Sequence, residues 1–240
     1  MELSKKRVGI VSDGGTDYAI FSRLVECLLG DKAELEIFEL NRQSLRDEVD
    51  RYWTAANRAN CYYLPHQPAK DLQAAIVNLS IAAFSDFEGE VGVGEITNQD
   101  LLLITTDSEK VLKRSQAYFE DWSFSLSKIF IGAIEKFYAF QAQQAYPYRY
   151  LPLILPFICF PSSEVLIAAA SGQNHYGQKP KALKQKLYET DNLATLRDEV
   201  FAEKALRHIT PESIEKIFSV VPESRWLIQT LAYSSTNPNP

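Results

Sequence analysis

Arg7-Val8-Gly9-Ile10-Val11-Ser12-Asp13-Gly14-Gly15-Thr16-Asp17 starts as an apolar run bounded by turn residues and empties into two glycines flanked by carboxylates. The run over residues 8–12 predicts a central strand. Ala19, Ile20, Leu24, Cys27 and Leu28 then recur at helical spacing, so a helix is expected over residues 17–29, with Gly30 as its stop.

Leu101-Leu102-Leu103-Ile104-Thr105-Thr106-Asp107-Ser108-Glu109 repeats the plan, a buried-type strand ending in acid–x–acid. Between these two stretches the pattern predicts a strand over 34–40 near a sheet edge and a helix over 44–58. A strand is expected at Cys61-Tyr62-Tyr63-Leu64, stopped by Pro65 and Pro68, then a helix over 70–84. The glycine- and acid-rich stretch 87–98 reads as a loop or hairpin. Helices are expected over 108–118 and 123–144, then a buried strand over 153–159 ended by Pro161. A helix begins near Ser162 or Ser163, either of which can cap it. The rest is polar and helical in pattern: 181–188, 193–208, 211–218 and 224–233, with Thr210 before Pro211 as a cap followed by a first-turn proline. Strands alternating with helices imply an α/β fold with a mostly parallel sheet flanked by helices, and a helical C-terminal subregion packed on it.

With 240 residues, 46% of them apolar and 23% charged, the chain can bury a proper core. Its longest apolar stretches are too short and too proline-broken to span a bilayer, so no membrane partner is expected. Met1–Lys6 runs straight into a strand without a secretory apolar region, and three scattered cysteines form neither a metal spacing nor a disulfide framework. The economical expectation is a reduced, cytoplasmic protein. A net charge of −6 excludes a broad nucleic-acid-coating surface. Lys179, Lys181, Lys184 and Lys186 still form a local basic run, either a solvated helix face or a contact to phosphate.

Carboxylates at the C-terminal ends of two strands in one α/β sheet can converge on a hard cation, because that edge is where such sheets place ligands. Asp13 and Asp17 come from the first strand end, Asp107 and Glu109 from the later one. Each has a structural alternative: Asp17 or Asp107 as a helix cap, Glu109 as a first-turn residue favoured by the helix dipole. Glu164, just past a strand and a proline, is a third acid that can join the cluster or serve as a first-turn glutamate. Lys181 can stabilise charge on a phosphate, or simply be surface. Gly14-Gly15 without an accompanying Lys-Ser/Thr is a poor phosphate loop. His66, His175 and His208 are far apart and make no zinc pair; only His175 lies in a loop suited to acid–base work.

Ser12-Asp13-Gly14-Gly15-Thr16-Asp17 resembles the first motif of Toprim domains, a hydrophobic strand followed by Glu–Gly–x–x–Asp, with Asp13 at the glutamate. Thr106-Asp107-Ser108-Glu109 resembles their second motif, Asp–x–Asp, with Glu109 at the second aspartate. The chain is also similar to a small bacterial Toprim-like family, related to the nuclease domain of overcoming-lysogenization-defect proteins. That likeness is carried by Pro161-Ser162-Ser163-Glu164-Val165-Leu166-Ile167-Ala168, by Lys179-Pro180-Lys181-Ala182-Leu183-Lys184 and by the helical end over 209–231. The resemblance implies a Toprim-like (Rossmannoid) core over residues 1–170, a helical subregion over 171–233 packed on it, and a disordered tail over 234–240. It implies Mg²⁺ or Mn²⁺ held by Asp13, Asp17, Asp107 and Glu109, with Glu164 and Lys181 assisting phosphodiester cleavage in nucleic acid, in genome defence. The altered acids imply the alternative, a non-catalytic sensing or scaffold module with a protein partner or a second copy of itself.

Overall fold

The computed structural model describes residues 4–31, 33–40, 45–59, 66–107, 116–145, 148–159, 162–173, 178–221 and 224. Strand β1 (Ser4–Val11) leads into helix α1 (Gly15–Leu29), β2 (Ala33–Glu39), α2 (Arg46–Ala59) and α3 (His66–Val91). Then come β3 (Leu101–Asp107), α4 (Gln116–Ala142), β4 (Leu153–Cys159) and α5 (Glu164–Ser171). The chain closes its described part with α6 (Pro180–Tyr188), α7 (Asp198–His208) and α8 (Ile214–Val220). The expected strand at 61–64, the helix over 224–233 and the tail 234–240 lie outside the described residues, apart from Ser224.

All four strands are parallel, in the order β2-β1-β3-β4. From β1 the chain passes through α1 outward to β2, and from β3 through α4 outward to β4, in the opposite direction. Right-handed crossovers in opposite directions put their helices on opposite faces. The two hydrophobic clusters follow that rule. Val8 and Ile10 of β1 and Leu101 and Leu103 of β3 pack with α1, α5, α6, α7 and α8. Val11, Leu102 and Ile104 pack with α2, α3 and α4 on the other face. Alternate residues of one strand thus feed two cores, which is why these strands read as continuous apolar runs. The C-terminal helices share the α1-side cluster with the sheet itself. Pro156 sits in β4, whose pairing among the described residues is with β3 alone, the edge setting that proline tolerates.

Three elements depart from the sequence reading. Helix α3 does not stop near Phe84 but runs on to Val91, through the stretch expected to be a loop or hairpin. Phe84 and Phe87 are both buried one turn apart, and Phe87 packs edge-on against Phe38 at 5.9 Å. That burial outweighs the helix cost of Gly89, and the turn comes at Gly92 and Gly94, whose φ values of 115° and 80° suit glycine. Helix α4 is unbroken over Gln116–Ala142, joining parts of two expected helices, while 108–115 lies outside the described residues. The expected 193–208 helix is a 3₁₀ turn, Leu193–Thr195, followed by α7. The Thr195 hydroxyl donates to the Asn192 carbonyl at 2.8 Å and the Asn192 N–H to the Thr190 hydroxyl at 3.2 Å, local bonds that compete with a helix ladder.

At the N-terminal edge of the sheet, Arg7 donates to both oxygens of Asp100, at 2.9 and 2.7 Å, and to the Glu95 carbonyl at 2.7 Å. Asp100 is 1% exposed and also accepts the Thr97 N–H. This bidentate pair fixes β1 against the start of β3, far along the strands from Asp13 and Asp107. Removing one partner leaves the other charge half-buried and uncompensated. Asp100→Ala is therefore expected to lower the free energy of urea unfolding by about 3 kcal/mol, and a loss within experimental error would contradict this account of the edge.

Candidate functional site

The carboxyl edge between β1 and β3 is the point where the connections diverge, and open α/β sheets form their ligand crevice there. Asp13 lies two residues past the end of β1 and Asp107 ends β3. The two are joined: Asp13 Oδ2 accepts the Asp107 N–H at 3.0 Å and the Thr106 hydroxyl at 2.9 Å. Thr105 donates its hydroxyl to the Val11 carbonyl at 2.9 Å, closing the strand ends further. Asp107 faces the α1 side, as its parity with Leu101 and Leu103 requires. There its Oδ1 accepts the Ser163 N–H at 2.7 Å.

Ser163 precedes α5, but its hydroxyl does not cap that helix. It donates instead to Asp17 Oδ1. Asp17 is not a cap either; Gly14 holds that position, and Asp17 turns inward from the first turn of α1. Gly14 has extended backbone, φ −171°, that any residue adopts, so the glycine pair is not demanded by a strained turn. Glu164, the first residue of α5, is wholly buried, and neither of its oxygens makes a hydrogen bond. Lys184 Nζ stands 3.4 Å from Glu164 Oε1. One helical turn further along α6, Tyr188 is buried with its hydroxyl unbonded.

The structure thus brings Asp13, Asp17 and Asp107 into one hydrogen-bonded chain through Ser163, and sets Glu164 beside it. Glu109 lies outside the described residues, as does His175. Lys181 is exposed in the first turn of α6, and the lysine that reaches the acids is Lys184. Sequence reasoning singled out the lysine run without choosing this member, and it read Ser163 only as a cap. Thr106 and Tyr188 carried no local signal, since their roles come from strand register and helix packing.

Burial pushes the Asp17 carboxyl up to about 6. The Ser163 hydroxyl opposes this by bonding to the charged form, while Glu164 raises the value, Lys184 lowers it and Asp13 raises it. Burial, with Glu164 and Asp17 nearby, pushes the Tyr188 hydroxyl well above its ordinary value. Among the described residues no three histidine, cysteine, aspartate or glutamate side chains are placed to hold one ion together. Among those residues, too, no helix is long and apolar enough to cross a membrane. Comparison of the chain with protein-family models, with curated proteins and with solved structures finds no match.

An acid whose folded value lies above its unfolded one binds more protons when native, so its charging destabilises the fold as pH rises between the two values. For Asp17 that window runs from about 4, the ordinary carboxylate value, to about 6. Asp17→Asn keeps an oxygen for the Ser163 hydroxyl and removes the titration. Its stability relative to the parent, measured in EDTA, is expected to rise by about 3 kcal/mol between pH 4 and pH 7. A difference that stays flat with pH would contradict the burial account.

Proposed function

We propose that this chain is a Toprim-like, Mg²⁺- or Mn²⁺-dependent hydrolase of phosphodiester bonds in nucleic acid, acting in genome defence. The observation that carries the reading is the bonding of Asp13 to Asp107 across the β1–β3 crevice, with Asp17 and Glu164 behind them. The four-stranded, all-parallel sheet flanked by helices is consistent with a Rossmannoid core of this kind. The donors fit a hard cation in chemistry, being carboxylate oxygens throughout. They fall short in number among the described residues, and Glu109, two positions beyond Asp107, is the third ligand the resemblance implies.

In this reading Asp13, Asp107 and Glu109 hold the ion. When bound, the ion neutralises phosphate charge and lowers the pKa of an attacking water. Thr106 fixes Asp13 and the Ser163 N–H fixes Asp107, so both carboxylates are oriented before substrate arrives. Lys184 compensates Glu164 and keeps excess negative charge from repelling the phosphate. Lys181, exposed nearby on α6, can meet the phosphate from the open side.

A second reading, a non-catalytic sensing or scaffold module with a protein partner, is favoured by one observation. Asp13, Asp17 and Asp107 each direct an oxygen to an internal hydrogen bond rather than to a shared centre. Incubation with labelled DNA and RNA in Mg²⁺ or Mn²⁺ separates the two. Metal-dependent cleavage is expected, reduced about 100-fold or more in Asp107→Asn, a change that keeps an acceptor for the Ser163 N–H. Cleavage unaltered by that substitution would overturn the site, and no cleavage of either nucleic acid would leave the scaffold reading.

A further inference from the structure

Helix α3 presents Lys70, Gln73, Ala74, Val77 and Asn78 at positions i, i+3, i+4, i+7 and i+8, one stripe along two of its turns. Together with Lys136 of α4 they line a groove of about 390 Å³, within the size range of small-molecule sites. Leu72, Ile76 and Leu79 carry the buried side of the same stretch, so the groove lies on the outer side of the α3–α4 layer. That layer covers the sheet face opposite α5 and α6, which hold Glu164 and Lys184.

One wall of the groove is preset. A Cβ at Gly132 of α4 would stand 2.6 Å from Gln73 Nε2, so the glycine lets the Gln73 amide lie against α4. The amide oxygen then accepts from the Lys136 ammonium. That bond aims Lys136 without neutralising it. Lys70 and Lys136 have no carboxylate partner among the described residues, whereas Arg7, Lys184 and Lys204 all do. Asp71 and Glu135, each beside one of these lysines in sequence, do not line the groove, and Asp71 accepts from the Gln67 amide at 2.7 Å. In a chain of net charge −6, two uncompensated ammoniums at one groove call for an anion.

The charge and the floor narrow the class. A phosphate monoester carries about −1.5 to −2 at neutral pH and matches the pair. A phosphodiester carries one charge, and a strand of them is tracked by a row of cations rather than by a pair at one groove. Beside the lysines, Ala74 and Val77 offer an apolar strip. The amides of Gln73 and Asn78 each bring donors and an acceptor. That combination suits a flat heterocycle with polar edges.

We propose that the α3–α4 groove binds a nucleoside monophosphate, its phosphate between Lys70 and Lys136 and its base on Ala74 and Val77, within reach of Asn78. The site is separate from the Asp13–Asp107 pair and does not rest on the phosphodiesterase reading.

The test is isothermal titration calorimetry of the full chain with AMP, GMP, CMP and UMP, at low salt and in EDTA so that no metal-dependent step contributes. Saturable binding at one site per chain is expected for at least one of the four. Inorganic phosphate and the matching nucleoside are each expected to bind about tenfold more weakly or worse, since each keeps only part of the contact. Lys70→Gln and Lys136→Gln are each expected to weaken the nucleotide about tenfold, the loss of one charge-assisted bond. Ala74→Glu, at an exposed helical position, is expected to abolish binding by placing a carboxylate in the groove, with helical content by circular dichroism unchanged. No binding of any of the four nucleotides, inorganic phosphate bound as tightly as the nucleotide, or an affinity that survives the Lys70→Gln/Lys136→Gln double variant and Ala74→Glu would overturn the proposal. A parent that binds no nucleotide, but whose affinity for labelled DNA falls in the lysine variants, would mark the groove as a backbone contact and equally overturn it.

Discussion

Ser163 directs both of its donors at carboxylates from other elements, the N–H at Asp107 and the hydroxyl at Asp17. Burying an ionised carboxylate costs several kcal/mol unless hydrogen bonds replace the lost water. A charge-assisted bond returns roughly 1.5–3 kcal/mol. The turn from β4 into α5 is therefore held by two acids that would otherwise be disfavoured where they are, and the acids are held by the turn. Asp13 joins the same chain through the Asp107 N–H, so three strand ends and the start of α1 share one polar network. The geometry of the candidate site depends on this mutual satisfaction.

The network stands where it does because of topology. Connections from β1 and β3 leave in opposite directions, which opens a crevice at the carboxyl ends of these two strands. The residue parity of β3 then sends Thr106 toward Asp13 and Asp107 toward Ser163, so one strand end serves both sides. At the opposite edge, Arg7 and Asp100 fix the same two strands. The sheet is pinned at both ends, by an ion pair at one and by hydrogen bonds from the end of β3 to the Asp13 carboxylate at the other.

Much of this was legible in the sequence, and the limits are instructive. The apolar runs before Asp13, Asp107 and Pro161 mark strands buried on both faces, and their order with intervening helices points to a parallel sheet. The bond from Asp107 to Asp13 follows from strand ends sharing an edge, while Asp17 reaches them only through Ser163. What escaped was set by contacts distant in sequence. Helix α3 outran its expected end because Phe87 is buried against Phe38, which no local pattern around Gly89 announces. Ser163 looked like a cap because its real acceptor, Asp17, is far away in the chain. Lys181 and Lys184 are near-equivalent on a helical stripe, and only the position of α6 along Glu164 selects the second.

The central claim is that the acids at the β1–β3 crevice are organised to receive a divalent cation. Mn²⁺ titration followed by electron paramagnetic resonance tests it most directly, on the parent chain and on Asp13→Asn/Asp107→Asn. The account predicts saturable binding by the parent that is lost in the double variant while the fold, judged by circular dichroism, is kept. Binding that persists undiminished in the double variant, or a parent chain that binds no Mn²⁺, would contradict it.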